Sequence, residues 1–115
     1  QDIKSQTVPS VSLQMVASHC LEIGRYFAEP LRDWSDLVQI ADRLRPMMGV
    51  TRKVWKNAVA SMGLEQASVV LAAMLERFDD IRSPNGYLQY LSNKAAAGSF
   101  TCTPMLLALS RRTTA

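Results

Sequence analysis

Arg52, Lys53 and Lys56 fall in the first turns of a segment that reads as a helix beginning after Thr51. Cations at that end face the positive pole of the helix dipole and lose a few tenths to about 1 kcal/mol each. A phosphate offers compensation, because helix N-termini present free N–H groups and positive potential to anions, and basic side chains in the same turn complete the contact. The competing reading, and the commoner one for surface charge runs, is a solvated basic face. A second set, Arg82, Tyr90, Lys94, Arg111 and Arg112, places a tyrosine one helical turn from a lysine near a basic C-terminal end. Aromatic and basic groups together suit single-stranded DNA, where bases stack and phosphates pair. Against it stands the reading in which Tyr87 and Leu91 form a buried stripe and Tyr90 covers its edge.

Other chemistry finds little support. His19 is the sole histidine, and Glu22, one turn away, is the only hint of a partner. Cys20 and Cys102 lie far apart, with no metal-ligand spacing beyond the adjacent His19, and read as small apolar residues, reduced in an intracellular chain, a disulfide being the lesser alternative. There is no glycine-rich phosphate loop and no zinc-binding Cys/His set. We therefore expect no catalytic residues, no metal and no cofactor.

The elements that must position these groups are helices. Ser10 or Ser12 is expected to cap the first, whose apolar face runs Val16, Ala17, Cys20, Leu21, Gly24 and Phe27 until Pro30 ends it. Asp33 caps a second, with Asp36 favouring the dipole, Leu37, Val38, Ile40, Ala41 and Leu44 inside, and Pro46 stopping or kinking it. Thr51 caps a third carrying Val54, Trp55, Ala58, Val59 and Met62, and Gly63 fits the left-handed position that ends it. The fourth has the stripe Ala67, Val70, Leu71, Met74, Leu75 and Phe78 and ends near Asp80; Asp79-Asp80 oppose its dipole, which suggests fraying or a basic neighbour, Arg77 or Arg82. Ser83-Pro84 and Thr103-Pro104 each set a hydroxyl at the cap and a proline at the first helical position, opening a fifth helix to about Ala97 with Gly98 as its cap, and a sixth that packs Met105, Leu106 and Leu109. Trp34 and Trp55, each at a helix start, read as packing between the second and third helices, the alternative being an exposed binding hot spot. No segment alternates like a strand. The expected fold is all-α, a compact array of about five to six short helices in a single domain.

The chain has 115 residues, 48 per cent of them apolar, enough to bury its own core. Residues 1–10 read as a polar linker from another domain, 11–112 as the helical domain and 113–115 as a tail. No apolar run approaches the roughly 18 residues of a membrane span, and the start lacks the regions of a signal peptide. We expect a cytoplasmic protein with no membrane partner. Its formal net charge of +3 permits nucleic-acid contact without requiring it.

One stretch carries a resemblance. Ser83-Pro84-Asn85-Gly86-Tyr87-Leu88, then Lys94-Ala95, Gly98-Ser99-Phe100, Thr103-Pro104-Met105 and a closing Ala108-Leu109 resemble the C-terminal region of RepC, the replication initiator of repABC-type plasmids in alphaproteobacteria. Upstream, Trp34-Ser35-Asp36-Leu37, Ala41, Arg45-Pro46, Met48-Gly49-Val50, Trp55, Met62-Gly63 and Leu75-Glu76-Arg77 follow the same family's order, so the likeness covers about residues 12–110. Asn85 stands where the family has the first glycine of its G-G-Y-L run, Gln89 where it has arginine, and Thr103 where it has glycine. Ile81, Pro84, Gly86, Tyr87 and Leu88 are also similar, more weakly, to the I-x-x-P-x-G-Y-L pattern of DnaD-type replication proteins. The resemblance implies a non-catalytic module of a plasmid replication initiator in the bacterial cytoplasm. Its implied partners are DNA (origin or single-stranded) and host replication proteins such as helicase-loading or primosome components. Ser83, Pro84, Gly86, Tyr87, Leu88, Gly98, Phe100 and Pro104 are the motif positions, structural or interacting. The alternative is a protein-interaction or oligomerisation domain with no DNA contact, in which Met47, Met48 and Met105 meet another helix, a route to self-association.

Overall fold

The computed structural model describes residues 11–28 and 30–114, with side chains to residue 109; residues 1–10, expected as a linker, and Ala115, the end of the expected tail, lie outside them. Its helices are α1 Leu13–His19, α2 Ile23–Tyr26, α3 Trp34–Met47, α4 Arg52–Met62, α5 Leu64–Glu76, α6 Pro84–Ala96 and α7 Thr103–Thr114, with a 3-10 turn at Phe78–Asp80. No strand occurs among the described residues, so the expected all-α class is the observed one.

Short polar side chains start four of these helices, as the sequence predicts. Ser12 Oγ accepts from the Met15 N–H at 3.1 Å, Asp33 Oδ1 from Asp36 at 3.0 Å, Thr51 Oγ1 from Val54 at 3.2 Å and Ser83 Oγ from Gly86 at 3.0 Å. At α3 the Asp36 carboxylate also reaches back to the Arg32 N–H and guanidinium, which hold it below the usual carboxylate range. The start of α7 differs from expectation. Thr103 is already helical, and the Cys102 carbonyl accepts the Leu106 N–H at 3.1 Å, so the cap position belongs to Cys102. Gln66 Oε1 accepts the Cys102 N–H at 2.8 Å, and that long-range bond fixes where the helix begins.

Glycines close the helices where a positive φ is needed. After α6, Gly98 (φ +77) donates to Ala95 O and Ser99 to Lys94 O, a Schellman closure that the sequence predicts. After α3 the same pair of bonds runs from Gly49 (φ +81) to Pro46 O and from Val50 to Arg45 O. Pro46 is therefore inside α3 and does not stop it, and the helix ends at Met47. Gly63, at φ 88 and ψ 154, donates to Val59 O and accepts from the Ala67 N–H, joining α4 to α5 in one residue. Its φ is positive as expected, but its ψ is extended, a region essentially restricted to glycine.

The first expected helix is broken in two. The Glu22 N–H donates to the Glu76 carboxylate, which removes it from the helical ladder, and Cys20 leaves helical geometry at φ −107, ψ 77. Val16, Cys20 and Ile23 stay buried, whereas Ala17, Leu21 and Gly24 of the expected face are exposed.

Around α5 the packing departs most from an amphipathic reading. Every residue from Ala67 to Leu75 is buried, so α5 is covered all round, as its run Val69-Val70-Leu71-Ala72-Ala73-Met74-Leu75 requires. Ser68, inside that run, satisfies its hydroxyl on Leu64 O. Helices α1, α3, α4 and α7 all pack on α5, and α6 lies along α4. Leu37 and Leu44 of α3, Leu71 and Met74 of α5, Leu88 of α6 and Leu106 of α7 are the largest fully buried side chains. Trp34 and Trp55 are half-buried against this core, and Trp55 lines a surface recess with Val38, Gln39, Asp42 and Arg43 of α3. Helix α5 stops at Glu76, before Asp79-Asp80, and Phe78 is 40% exposed and not part of the buried stripe. Met48, one of the methionines of the interaction alternative, is buried at the end of α3, while Met47 is exposed and Met105 half-buried.

Candidate nucleic-acid interface

Helices α4 and α6 lie side by side with their N-termini together. At that end Asn85 Oδ1 accepts both the N–H (2.9 Å) and the hydroxyl (3.2 Å) of Thr51. One turn and a half further on, Asn57 Nδ2 donates to Gln89 Oε1 at 3.1 Å, and Gln89 Nε2 to Asn93 Oδ1 at 2.9 Å. Residue numbers rise together along both helices, from 51 and 85 to 57 and 89, which makes the pair parallel. Their dipoles therefore present two positive ends at one edge of the molecule.

The sequence-predicted cations divide between the two sides of this pair. Arg52, Lys53 and Lys56 are all exposed on α4, and no ion pair among the described residues involves them. Lys53 precedes Asn57 by one turn, which sets it beside α6. Val54 and Trp55 give their amides to Thr51, so the Arg52 and Lys53 amides are the first of α4 and open outwards. Tyr90 and Lys94 occupy the flank of α6 away from α4. Lys94 Nζ lies 5.5 Å from the Tyr90 ring centroid, and the Tyr87 and Tyr90 rings are 6.5 Å apart at 22°. Tyr90 is 56% exposed, while Tyr87 is half-buried against the core. Arg82, exposed, borders a cleft that Tyr87 and Met105 share. Arg111 and Arg112 lie in the last turns of α7 and their side chains are outside the described ones.

The motif residues are explained by local geometry. Ser83 caps α6, Pro84 takes its first position, and a Cβ at Gly86 would stand 3.1 Å from Ser83 Oγ, which makes a small residue fit the cap best. Leu88 is fully buried, Phe100 packs on the core, Gly98 closes α6, and Pro104 is exposed in the first turn of α7. The sequence reading missed the α4–α6 clasp and the part of Arg77 in the cleft. Asn85 and Gln89 were its available signal: both depart from the family pattern, and both are the residues of α6 that bond to α4.

His19 Nδ1 lies 2.9 Å from Met15 O and 3.1 Å from Ser18 Oγ. Burial pushes the Cys20 thiol up to about 12, with the Glu76 carboxylate adding to it, and pushes Cys102 up to about 11; both cysteines are free. No group of three or more His, Cys, Asp or Glu among the described residues has the arrangement to hold a metal ion. Among those residues, no helix is long and apolar enough to cross a membrane.

Residues 12–112 match the family model described as the replication protein C C-terminal region. A Rhizobium rhizogenes protein provisionally named replication protein C is 35% identical over 107 residues, covering 92% of this chain and 26% of its own length. One of the same provisional name from Sinorhizobium fredii is 43% identical over 104 residues, covering 86% of this chain and 25% of its own. The chain thus spans about a quarter of the length of the relatives it matches. No solved structure gives a significant match. With every described helix beginning inside the matched region, the chain belongs to the family of replication protein C C-terminal regions.

Proposed function

We propose that this chain is a non-catalytic module of a plasmid replication initiator that acts in the bacterial cytoplasm and supports initiation by accessory, sequence-independent DNA binding. The observation that carries this reading is the parallel α4–α6 pair, with Arg52, Lys53 and Lys56 exposed beside two helix N-termini. Phosphates are the natural counter-ions of such an edge, and contacts of this kind fix position without reading sequence. Host replication proteins, such as helicase-loading or primosome components, are the protein partners this role would recruit.

Fluorescence anisotropy of labelled duplex titrated with the chain at several salt concentrations tests it, alongside an Arg52→Ala, Lys53→Ala, Lys56→Ala variant. Each phosphate contact contributes about 0.9 to the slope of log affinity against log salt, so the triple change should flatten it by up to about 2.7. Binding that ignores the triple change, or no binding at low salt, overturns the reading.

A second reading, a protein-interaction or oligomerisation domain, is favoured by a separate surface. Leu21 (61%), Tyr26 and Met47 are large apolar side chains left exposed on α1–α2 and the end of α3. Self-association or partner binding insensitive to salt is its expected signature.

A further inference from the structure

We propose that the cleft between the Phe78–Asp80 turn, the start of α6 and α7 receives one unstacked base of a single-stranded nucleic acid. The inference rests on the DNA-binding reading above and adds to it the form of nucleic acid and a site for the base. The cleft has a volume of about 370 Å³, within the roughly 300–1,000 Å³ of sites that enclose small ligands. Its walls are Ile81, Tyr87 and Met105, an aromatic ring and a polarisable thioether against which a planar base can stack. Arg77 and Arg82, both exposed, stand at its rim, where the flanking phosphates of a captured nucleotide would lie.

Asp80 also lines the cleft, so its charge is mixed, two guanidiniums with one carboxylate. Beyond the cleft the same flank of α6 continues with Tyr90 and Lys94. The Tyr87 and Tyr90 rings are nearly parallel, and Lys94 sits over Tyr90, so a strand running along α6 meets ring, ring and cation in succession. From Pro84 to Lys94 the helix axis covers about 15 Å, room for a short stretch of extended strand. A duplex satisfies this flank poorly, because each base would first have to leave its stack and its partner.

The test compares three labelled probes of equal length: a single-stranded 12-mer, an abasic 12-mer that keeps phosphates and sugars, and a duplex. The chain, an Arg77→Ala, Arg82→Ala variant and a Tyr90→Ala variant are titrated against each, with circular dichroism confirming that every variant is folded. The expected result is binding of the single strand at least about fivefold tighter than of the abasic strand, with both variants weakening single-strand binding while duplex affinity changes less than about twofold. Equal affinity for the single and abasic strands overturns the base site, and so does an equal loss on single strand and duplex in both variants. If duplex binding and its dependence on Arg52, Lys53 and Lys56 persist in that case, the inference alone has failed. If the chain binds none of the probes, the DNA-binding reading falls and takes this inference with it.

Discussion

Cys20 shows how a single residue's environment becomes a property of the whole chain. Its thiol sits at the break between α1 and α2, 1% exposed, and burial together with Glu76 pushes it up to about 12, while burial pushes Cys102 up to about 11. In the unfolded chain both titrate near the ordinary value of 9.0. Raised folded values mean that the native state keeps its thiol protons longer, so this contribution is intact below pH 9 and is lost as the pH rises through 11 to 12. Each thiol steepens the fall in stability by at most about 1.4 kcal/mol per pH unit in that window. Urea melts between pH 8 and 11 should therefore fall more steeply for the parent chain than for a Cys20→Ala, Cys102→Ala variant. Equal slopes would show that the thiols ionise as freely in the fold as outside it. The sequence reading of both as reduced, small apolar residues is consistent with their free, enclosed thiols. What it had no means to supply was Glu76, brought to Cys20 and to the Glu22 amide from more than fifty residues away.

The α4–α6 clasp belongs to the scale of elements. Thr51 Oγ1 accepts from Val54 to cap α4 and donates to Asn85, while the Thr51 N–H goes to the same Asn85 oxygen, so one cap and one amide set the register of two helices. Thr51→Ala removes the cap and should lower stability by about 1–2 kcal/mol. Asn85→Ala leaves an exposed N–H that water satisfies in part and should lower it by about 1 kcal/mol. Because the two share a bond, the double variant should fall short of the sum by at least about 0.5 kcal/mol in urea denaturation; strict additivity would mean that the clasp holds nothing. The caps of α3 and α4, the Ser83-Pro84 start and the closing glycine of α6 were legible because each acts within four residues of itself. The split of the first helix and the start of α7 were not, because Glu76 and Gln66 decide them from other elements. The candidate site was legible in the same measure: Arg52, Lys53, Lys56, Tyr90 and Lys94 were readable as types and spacings. That α4 and α6 run parallel with their N-termini together follows only from long-range bonds.

At the scale of the whole molecule, α5 sets the stability on which every surface depends. It is buried from Ala67 to Leu75 and touches α1, α3, α4 and α7, so it has no face through which to open alone. The α1–α2 corner is its opposite: α2 has four residues, its cap Glu22 makes no side-chain cap bond, and Leu21 beside it stands in solvent. Native-state hydrogen exchange should accordingly separate the two, with α5 amides exchanging only through global unfolding and α2 amides through local opening at much lower free energy. Leu71, fully buried, makes the comparison decisive. Leu71→Ala should destabilise the chain by about 2–5 kcal/mol, a large part of the roughly 5–15 kcal/mol typical of a domain. The exchange free energy of α5 should drop by that same amount, and that of α2 should not change. If α5 exchanged faster than global unfolding allows, the helix would open within the native state. The α4–α6 edge, held to the core chiefly where α4 packs on α5, would then lose the rigid base on which the proposed DNA contacts rely.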